Sequence, residues 1–431
     1  MSGKLLLAAT IAFRGATLID GRGTVVPDSL LVVTGGRIAY AGAATPEALA
    51  GAPADATMVA AGGRWIVPGL IDAHVHAESD ADLEEMLRWG VTSVRLMAED
   101  VAAARALAAR AAAPGSGMPD VLPAAPIFTR KGGWWDQGQP ADANLNRFPE
   151  NPEEARAAVR RARALGSAEI KIMLDDMAWC RAPKPPLPKL APEVARALAA
   201  EGRRQGLRVI VHAPELADAL EAIEAQATAL AHGVLEPIDD STIARMRRRP
   251  VTYIPTMGVF EFLADTHGFM DGVLADPVVT TPGVGLAPER VARYRSAAYA
   301  SEYQKRYPNF ANVRRRLPAL RENLRRLHAA GVPVALGTDM WALPGLGVSV
   351  EMDLYVRAGL TPLDAIRSAT QVAAQSLGVG TVVGTLEPGK RADFLVVRAD
   401  PTRDVKNVRK IQDVYKAGVR VGPAPRRSET P

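Results

Sequence analysis

The chain has 431 residues, of which 48% are hydrophobic and 23% are charged, and its 52 basic and 47 acidic residues leave a net charge of +5. This is an ordinary globular composition, and the weak positive charge, without interleaved aromatic residues, does not favour a nucleic-acid-binding surface. No stretch reaches the roughly 20 apolar residues that a membrane-spanning helix needs. The single cysteine, Cys180, excludes an intramolecular disulfide.

The first 66 residues predict short β-strands and turns. An apolar run at residues 5–13 resembles the core of a signal peptide, which leaves export open, but Arg14 and a strand-like segment follow it without a cleavage spacer. We therefore interpret this run as the first strand and expect a cytoplasmic protein. Residues 29–33 and 37–40 flank a Thr-Gly-Gly turn and predict a hairpin.

The C-terminal part of the chain has the same β-rich character, with strand-like segments at residues 392–397 and 414–419. We predict that residues 1–66 and 375–425 together form a small composite β-sandwich domain, because both ends are rich in strands while the middle is not. Residues 426–431 are predicted to be a tail.

The middle of the chain alternates strand-like segments with helix-like segments rich in alanine, glutamate and arginine. The strand-like segments are residues 66–67, 93–96, 121–122, 169–173, 208–211, 227–231, 251–254 and 333–336. Eight strands with intervening helices predict an α/β fold, a (β/α)8 TIM barrel over residues 67–374. Residues 255–330 predict a long crossover that holds extra helices over one end of this barrel.

Residues that can bind a metal follow the predicted barrel strands. His74 and His76 are two positions apart in a strand, so both imidazoles can face one ion. His212, His232 and Asp339 follow three later strands, and the carboxyl ends of all barrel strands lie on one face. Four of the six histidines in the chain stand at strand ends. This concentration predicts a metal site.

We expect different roles for the other two histidines. His328 lies in a helix-like run and is expected to be structural, whereas His267 lies in the crossover, from which it could reach the pocket. Imidazole and carboxylate ligands suit zinc, although other divalent transition metals also accept them.

Lys171 stands in the fourth predicted strand. An ammonium group beside two cations is strongly disfavoured. A lysine here fits a metal site only when CO₂ has carboxylated it, because the carbamate oxygens can then bridge two ions. The alternative is a buried lysine paired with Asp175 or Asp176. We predict two divalent ions, zinc first among them, and N6-carboxylysine at Lys171.

The motifs at both ends of the predicted barrel resemble those of the amidohydrolase superfamily. Residues 67–76, 331–339, 358–370 and 384–393 carry the resemblance, which extends over nearly the whole chain. The Lys171 strand and the close spacing of His212 and His232 resemble the prolidase-like branch with two metals, related to imidazolonepropionase and Xaa-Pro dipeptidase. The resemblance implies one ion on His74, His76 and Asp339, a second ion on His212 and His232, and carboxylated Lys171 between them.

Members of that branch hydrolyse dipeptides, acylated amino acids and related amides, carbamates or esters. The resemblance therefore implies that a hydroxide bridging two ions cleaves an amide-type C–N bond of a small-molecule substrate. Asp339 is predicted to accept the proton of the attacking water and to deliver it to the leaving group, because an aspartate is ionised at rest. We also expect a homo-oligomer.

Three segments depart from the pattern of the branch, and all three are expected to lie where the substrate binds. Arg95-Leu96 stands where Arg-Asp is usual, residues 132–135 replace Gly-Gly-His with Gly-Gly-Trp-Trp, and residues 213–215 stand where a second Ala-His is common. These departures put the usual substrate of the branch in doubt. The residues predicted to contact substrate are Trp134, Trp135, Glu215, Tyr253 and His267, although the two tryptophans fit ordinary barrel packing equally well.

Two other functions stay open at this point. His212 and Glu215 have the His-x-x-Glu spacing of mononuclear deaminases and cyclic-amide hydrolases, which would use Glu215 with Asp339 and leave Lys171 unmodified. A non-catalytic scaffold of the same fold is the less favoured alternative, because such relatives usually lose metal ligands and this chain retains the full set.

Overall fold

The computed structural model describes residues 10–77, 79–136, 142, 144–249 and 251–422. The predicted tail at residues 426–431 and the part of the first predicted strand before Thr10 lie outside these ranges. Among the described residues, no helix combines the length and the apolar character that crossing a lipid bilayer requires.

The strands of the described residues fall into three sheets. They are β1 (Thr10–Ile19), β2 (Val25–Thr34), β3 (Arg37–Ala43), β4 (Thr57–Ala60), β5 (Trp65–Pro68), β6 (Leu70–Val75), β7 (Val91–Met97), β8 (Asp120–Ala124), β9 (Ile127–Phe128), β10 (Glu169–Met173), β11 (Arg208–His212), β12 (Ala229–Ala231), β13 (Thr252–Ile254), β14 (Phe394–Val397), β15 (Ile411–Lys416) and β16 (Val419–Gly422).

Helices separate most of the strands in the middle of the chain. They are α1 (Pro46–Ala50), α2 (Asp80–Arg88), α3 (Val101–Ala111), α4 (Pro152–Ala164), α5 (Ala178–Arg181), α6 (Pro192–Arg204), α7 (Leu216–Glu224), α8 (Asp240–Arg248), α9 (Met257–Ala264), α10 (Thr266–Leu274), α11 (Pro277–Thr280), α12 (Pro288–Arg295), α13 (Ala297–Arg306), α14 (Phe310–Ala329), α15 (Leu346–Arg357), α16 (Pro362–Arg367) and α17 (Ala373–Leu377). A π-helical turn (Ser368–Val372) joins α16 to α17, and a 3-10 helix (Val405–Arg409) precedes β15.

Both ends of the chain contribute to the largest sheet. Its strand order is β16-β15-β14-β5-β1-β2-β3, with β4 beside β1, and β14 pairs antiparallel with β5. The rings of Phe394 and Tyr415 stack with their centroids 4.5 Å apart, and Phe13 meets each of them edge-on at 5.2 Å. Aromatic side chains from the two ends of the chain therefore pack in one apolar cluster.

The predicted hairpin is formed by β2 and β3, and it turns at Gly35 and Gly36, whose φ angles are 58° and 75°. A Cβ atom on Gly36 would lie 2.6 Å from the carbonyl oxygen of Ala417 in the β15–β16 turn. Glycine is therefore required here both by the backbone angle and by the close approach of the other end of the chain.

The middle of the chain forms two parallel sheets, β6-β7-β8 and β9-β10-β11-β12-β13. Tyr253 of β13 forms a bridge with Val334, and the amide of Ala73 in β6 donates to the carbonyl oxygen of Leu336 at 2.9 Å. Residues 333–336 therefore lie between β13 and β6. Because parallel neighbours keep their register, β10, β11 and β12 end at one edge, where the polar residues that follow them meet.

The crossover between β13 and residue 333 contains α9 to α14. The amide of Asn309 donates to the carbonyl oxygen of Cys180 at 3.0 Å, and the side chain of Asn312 donates to the carbonyl oxygen of Trp179 at 2.8 Å. These contacts tie the start of α14 to α5, which follows β10. The crossover therefore lies against the loop that leaves the Lys171 strand.

Arg95 lies in the interior of the parallel sheets and not where substrate was expected to bind. Its side chain is fully buried, and its Nε atom lies 2.7 Å from Oε2 of Glu169 at the start of β10. The guanidinium also donates to the hydroxyl and carbonyl oxygens of Ser376 in α17. This buried ion pair joins β7, β10 and α17, so its contribution is to the stability of the fold.

We expect Arg95→Met to lower the free energy of unfolding by about 3 kcal/mol, because it deprives the buried Glu169 carboxylate of its main partner. This loss of stability is at the lower end of the range for a broken buried ion pair, because Arg208 still contacts Glu169 at 3.3 Å. Urea unfolding followed by circular dichroism measures the change, and Arg398→Met, at an exposed position, is the matched control. Equal midpoints for the two variants would contradict this assignment.

Candidate active site

A cavity of about 850 Å³ lies at the carboxyl ends of the parallel strands. Its volume falls within the range of pockets that bind small molecules. The six residues predicted as metal ligands all line it: His74, His76, Lys171, His212, His232 and Asp339.

Asp339 lies at the centre of this group. Its Oδ1 atom is 3.7 Å from Nε2 of His74 and 3.4 Å from Nε2 of His76, and its Oδ2 atom is 3.7 Å from Nδ1 of His232. Two ligand atoms bound to one zinc ion at about 2.0–2.2 Å lie no more than about 4.4 Å apart. The separations from His74 and His76 are therefore compatible with a cation shared between the carboxylate and these two imidazoles.

The backbone holds Asp339 in a conformation that few residues adopt. Its φ angle is 53°, in the left-handed region, which aspartate tolerates better than most residues. Its amide donates to the carbonyl oxygen of His74 at 2.9 Å. The hydrogen bond holds Asp339 directly beside His74, and backbone strain of this kind is common at functional sites.

The histidines of the cavity are held in the neutral form that metals bind. Burial lowers the pKa of His74 and of His232 well below the usual value, and the positive charges of Lys171 and of the neighbouring histidines lower both further. Burial, followed by Lys171 and His212, lowers the pKa of His76 to about 3.

Lys171 is buried, and its amine makes no hydrogen bond to a described residue. The ion pair considered as an alternative is not formed: Asp175 contacts His212, and Asp176 accepts from the amide of Ala178. Burial lowers the pKa of Lys171, the carboxylate of Asp339 raises it, and Arg95 lowers it. With its pKa lowered to about 7, part of this amine is neutral near pH 7, and the neutral amine is the form that reacts with CO₂.

A second buried nitrogen without a hydrogen bond to the described residues is Nδ1 of His74. Together with the Lys171 amine, it gives two buried nitrogens of cavity residues that have no hydrogen bond to the described residues. Buried polar groups in native proteins are nearly always satisfied. This group of residues therefore fits bound cations.

Asp175 orients the imidazole of His212. Its Oδ2 atom lies 2.9 Å from Nε2 of His212 and accepts from the indole of Trp179 at 3.0 Å, and its Oδ1 atom accepts from the amide of Met177 at 2.7 Å. With Nε2 engaged, Nδ1 is the nitrogen left for a metal. A carboxylate on the far nitrogen of a ligand histidine fixes its ring and raises its basicity.

We expect Asp175→Asn to weaken metal binding about 10–100-fold, because it removes the carboxylate that orients His212. Competition with a chromophoric zinc chelator measures this affinity directly. Asp176→Asn is the matched control, since it makes the same change one residue away without touching the histidine. If both variants bind zinc like the wild type, Asp175 does not support the metal site.

Thr256 performs the corresponding role for His232. Its hydroxyl oxygen lies 2.8 Å from Nδ1 of His232, which leaves Nε2 free in the tautomer that protonates Nδ1. Thr256 precedes α9 with a φ angle of 45°, unusual for a β-branched residue. The buried carboxylate of Glu351 accepts from the next two amides, of Met257 and Gly258, at 2.6 and 2.7 Å. These bonds hold the turn that presents the threonine.

Trp134 and Trp135 both line the cavity. The ring of Trp135 lies 4.3 Å from that of His76, centroid to centroid, and its indole donates to Glu99. Arg147 donates to the carbonyl oxygen of Trp135 at 3.1 Å. The two tryptophans therefore form an apolar wall beside the first ligand pair.

The structure does not bring the other three predicted substrate contacts to the cavity. Glu215 begins α7 and forms an ion pair with Arg316 at 3.3 Å. Tyr253 is fully buried, and its hydroxyl accepts from the amide of Val234 at 2.9 Å. His267 is 56% exposed on α10 and lies 3.3 Å from Asp271. Each side chain is turned away from the cavity by a partner that sequence spacing does not reveal.

The remaining walls of the cavity come from residues that the sequence did not single out. Five of them are aromatic and lie after β10, in the crossover or after Asp339: Trp179, Phe260, Tyr303, Tyr307 and Trp341. Their aromatic character was visible in the sequence, but only the path of the crossover brings them to the same cavity.

Comparison with known proteins identifies the family of the chain. The sequence profile described as the amidohydrolase family matches residues 65–421. The ochratoxinase of Aspergillus niger is 28% identical over 305 residues, which are 69% of this chain and 54% of that protein. The chain thus spans about half the length of this curated relative. The imidazolonepropionase of Deinococcus deserti is 40% identical over 103 residues, 22% of this chain and 26% of the relative.

A solved structure of a Xaa-Pro dipeptidase with bound methionine in its active site is similar with a TM-score of 0.74. The match covers 96% of this chain and 99% of the dipeptidase at 21% identity, which shows a shared fold. Because the family profile extends over most of the chain and the fold is that of a prolidase-like enzyme, the chain belongs to the amidohydrolase family.

Proposed function

We propose that this protein is a metal-dependent hydrolase that cleaves an amide-type C–N bond in a small-molecule substrate. The observation that carries the proposal is the convergence of four histidines and an unpartnered lysine amine around Asp339 in one cavity. The similarity to ochratoxinase and to a Xaa-Pro dipeptidase supports it. The substrates we expect are dipeptides, N-acyl amino acids and related amides, carbamates or esters.

We further infer that the parallel strands close into a (β/α)8 barrel over residues 67–374. Supporting this, residues 333–336 hydrogen-bond to β13 on one side and to β6 on the other. The mixed sheet of β1–β5 and β14–β16 supports the composite β-sandwich domain proposed for residues 1–66 and 375–425.

Two divalent ions, zinc first among them, fit the donor atoms of the cavity. His74, His76 and Asp339 would hold one, His212 and His232 the other, and the carboxylated amine of Lys171 would be shared. Such ions, when bound, polarise a carbonyl group and lower the pKa of water.

The side chains of the protein perform the remaining tasks. Asp339 accepts the proton of the attacking water and delivers it to the leaving nitrogen, since its carboxylate lies within 4 Å of three imidazoles at the centre of the cavity. Trp134 and Trp135 hold the apolar part of the substrate and exclude bulk water. Asp175 and Thr256 keep the rings of His212 and His232 in place.

The mononuclear deaminase alternative is less favoured. It needs Glu215 as a proton shuttle, yet this carboxylate faces Arg316 and does not line the cavity. Metal content per chain separates the two hypotheses: two ions support the proposal, and a single ion with full activity supports the alternative.

The proposal is tested with zinc-loaded protein and a panel of Xaa-Pro dipeptides, N-acyl amino acids, aryl amides, carbamates and esters, with products separated by chromatography and mass spectrometry. We expect amide hydrolysis that is lost on chelation and restored by zinc. His74→Ala should be inactive, whereas Asp271→Asn on the surface should retain wild-type rates. Protein that holds two metals yet leaves the whole panel intact would instead support the scaffold interpretation.

A further inference from the structure

Tyr307, at the end of α13, has a hydroxyl group that the protein itself does not use. Its side chain is 7% exposed and lines the cavity, and the hydroxyl makes no hydrogen bond to any described residue. Resting on the hydrolase function proposed above, we propose that this hydroxyl donates a hydrogen bond to the substrate carbonyl oxygen and stabilises the negative charge that develops there.

Four other buried tyrosines have hydrogen-bond partners, whereas Tyr415, equally buried in the sheet of the chain ends, has none among the described residues. The Tyr253 hydroxyl accepts from an amide, Tyr294 and Tyr355 donate to the carbonyl oxygens of Ala342 and Ala335, and Tyr303 accepts from the indole of Trp341. The hydroxyl of Tyr307 is therefore available to a ligand that binds in the cavity.

Most of the indole donors around the cavity are already engaged. Trp135 donates to Glu99, Trp179 to Asp175 and Trp341 to Tyr303. The structure records no hydrogen bond for the indole of Trp134. This leaves Tyr307 and Trp134 as the uncharged side-chain donors to be compared.

The ring of Tyr307 is held on two sides, which fixes the direction of its hydroxyl. The guanidinium of Arg306 lies 5.5 Å from the ring centroid, and the ring of Trp134 meets it edge-on at 6.4 Å. The chain immediately after it is anchored, since Asn309 donates to the carbonyl oxygen of Cys180. Preorganised donors of this kind contribute most to catalysis, because they need no reorientation during the reaction.

The electrostatic surroundings keep the hydroxyl protonated. Burial raises the pKa of Tyr307 above its usual value, Arg306 lowers it, and Cys180 and Asp339 raise it. At neutral pH the group is therefore a donor, and its ring lines the same cavity as Asp339.

Tyr307→Phe tests the proposal, because it removes one oxygen atom and retains the ring. We expect kcat to fall about 10²-fold on the best substrate of the panel, with KM changed less than about threefold and zinc content unchanged. A phosphonate analogue of that substrate, which mimics the tetrahedral oxyanion, should bind more weakly by a similar factor. Product binding should not change, which separates a transition-state contact from a packing role.

Tyr299→Phe is the matched control, since Tyr299 is buried on the same helix but does not line the cavity; it should retain wild-type kcat. If the wild-type protein is active and Tyr307→Phe is unimpaired, the role of Tyr307 is refuted while the hydrolase function stands. If Trp134→Phe and not Tyr307→Phe loses activity, the indole of Trp134 is the donor instead. Inert wild-type protein overturns the proposed function and this assignment with it.

Discussion

Replacing Asp339 with asparagine is expected to reduce kcat by about 10⁴-fold while the protein still binds metal. Asparagine has nearly the same shape and keeps one oxygen that can act as a ligand, but its amide cannot accept a proton. The reaction then lacks the group that removes the proton of the attacking water and returns it to the leaving nitrogen. Rates from single-turnover assays and zinc content from atomic absorption measure the two effects separately.

Asp271→Asn is the control for the Asp339 experiment, because it makes the same chemical change at a site that is 53% exposed. It should match the wild type in both measurements. Wild-type turnover in Asp339→Asn would refute the proton-transfer role. Loss of activity that merely follows loss of zinc would show that Asp339 acts as a ligand and not as the proton carrier.

Lys171→Ala is expected to lower metal content from two ions per chain to at most one and to reduce kcat by at least about 10³-fold. The variant cannot form a carbamate, so the oxygens proposed to be shared by both ions are absent. Because alanine leaves space in the cavity, millimolar formate or acetate should enter and restore part of both metal content and activity.

A spectroscopic measurement tests the modification of Lys171 directly. Wild-type protein reconstituted with zinc in ¹³C-bicarbonate should give a carbamate ¹³C signal, which Lys171→Ala should lack. Lys189→Ala is the control, since this half-exposed lysine pairs with Asp218 on the outside of the parallel sheets. Two zinc ions per chain in the Lys171→Ala variant would contradict the shared carbamate.

The residues of the proposed metal site stand out in the sequence because their chemistry marks the strand ends. Imidazole and carboxylate side chains interrupt apolar strands at His74, His212 and Asp339, and parallel strands bring their carboxyl ends to one edge. The family assignment drawn from the same motifs is confirmed by the profile that matches residues 65–421. β14 pairs with β5, so strands from the two ends of the chain lie in one sheet.

The substrate contacts could not be predicted in the same way. Tyr253 stands in a strand near the site, but its hydroxyl accepts from the amide of Val234. The direction of this side chain depends on the register of the strand, which cannot be derived from the sequence. His267 belongs to the crossover, whose helix orientations depend on tertiary packing. The same packing brings Thr256 onto His232 and Tyr307 into the cavity, so no local pattern could have revealed them.

The shared sheet has a consequence for how the protein is made. β5 leads directly into β6, which carries His74, yet the antiparallel partner of β5 is β14, about 325 residues later. At a synthesis rate of about 5–20 residues per second, the edge of β5 waits tens of seconds for its neighbour to emerge from the ribosome. During that interval an apolar strand edge is open to pairing with other nascent chains. The strand that precedes His74 therefore gains its antiparallel partner late in synthesis, when β14 becomes available.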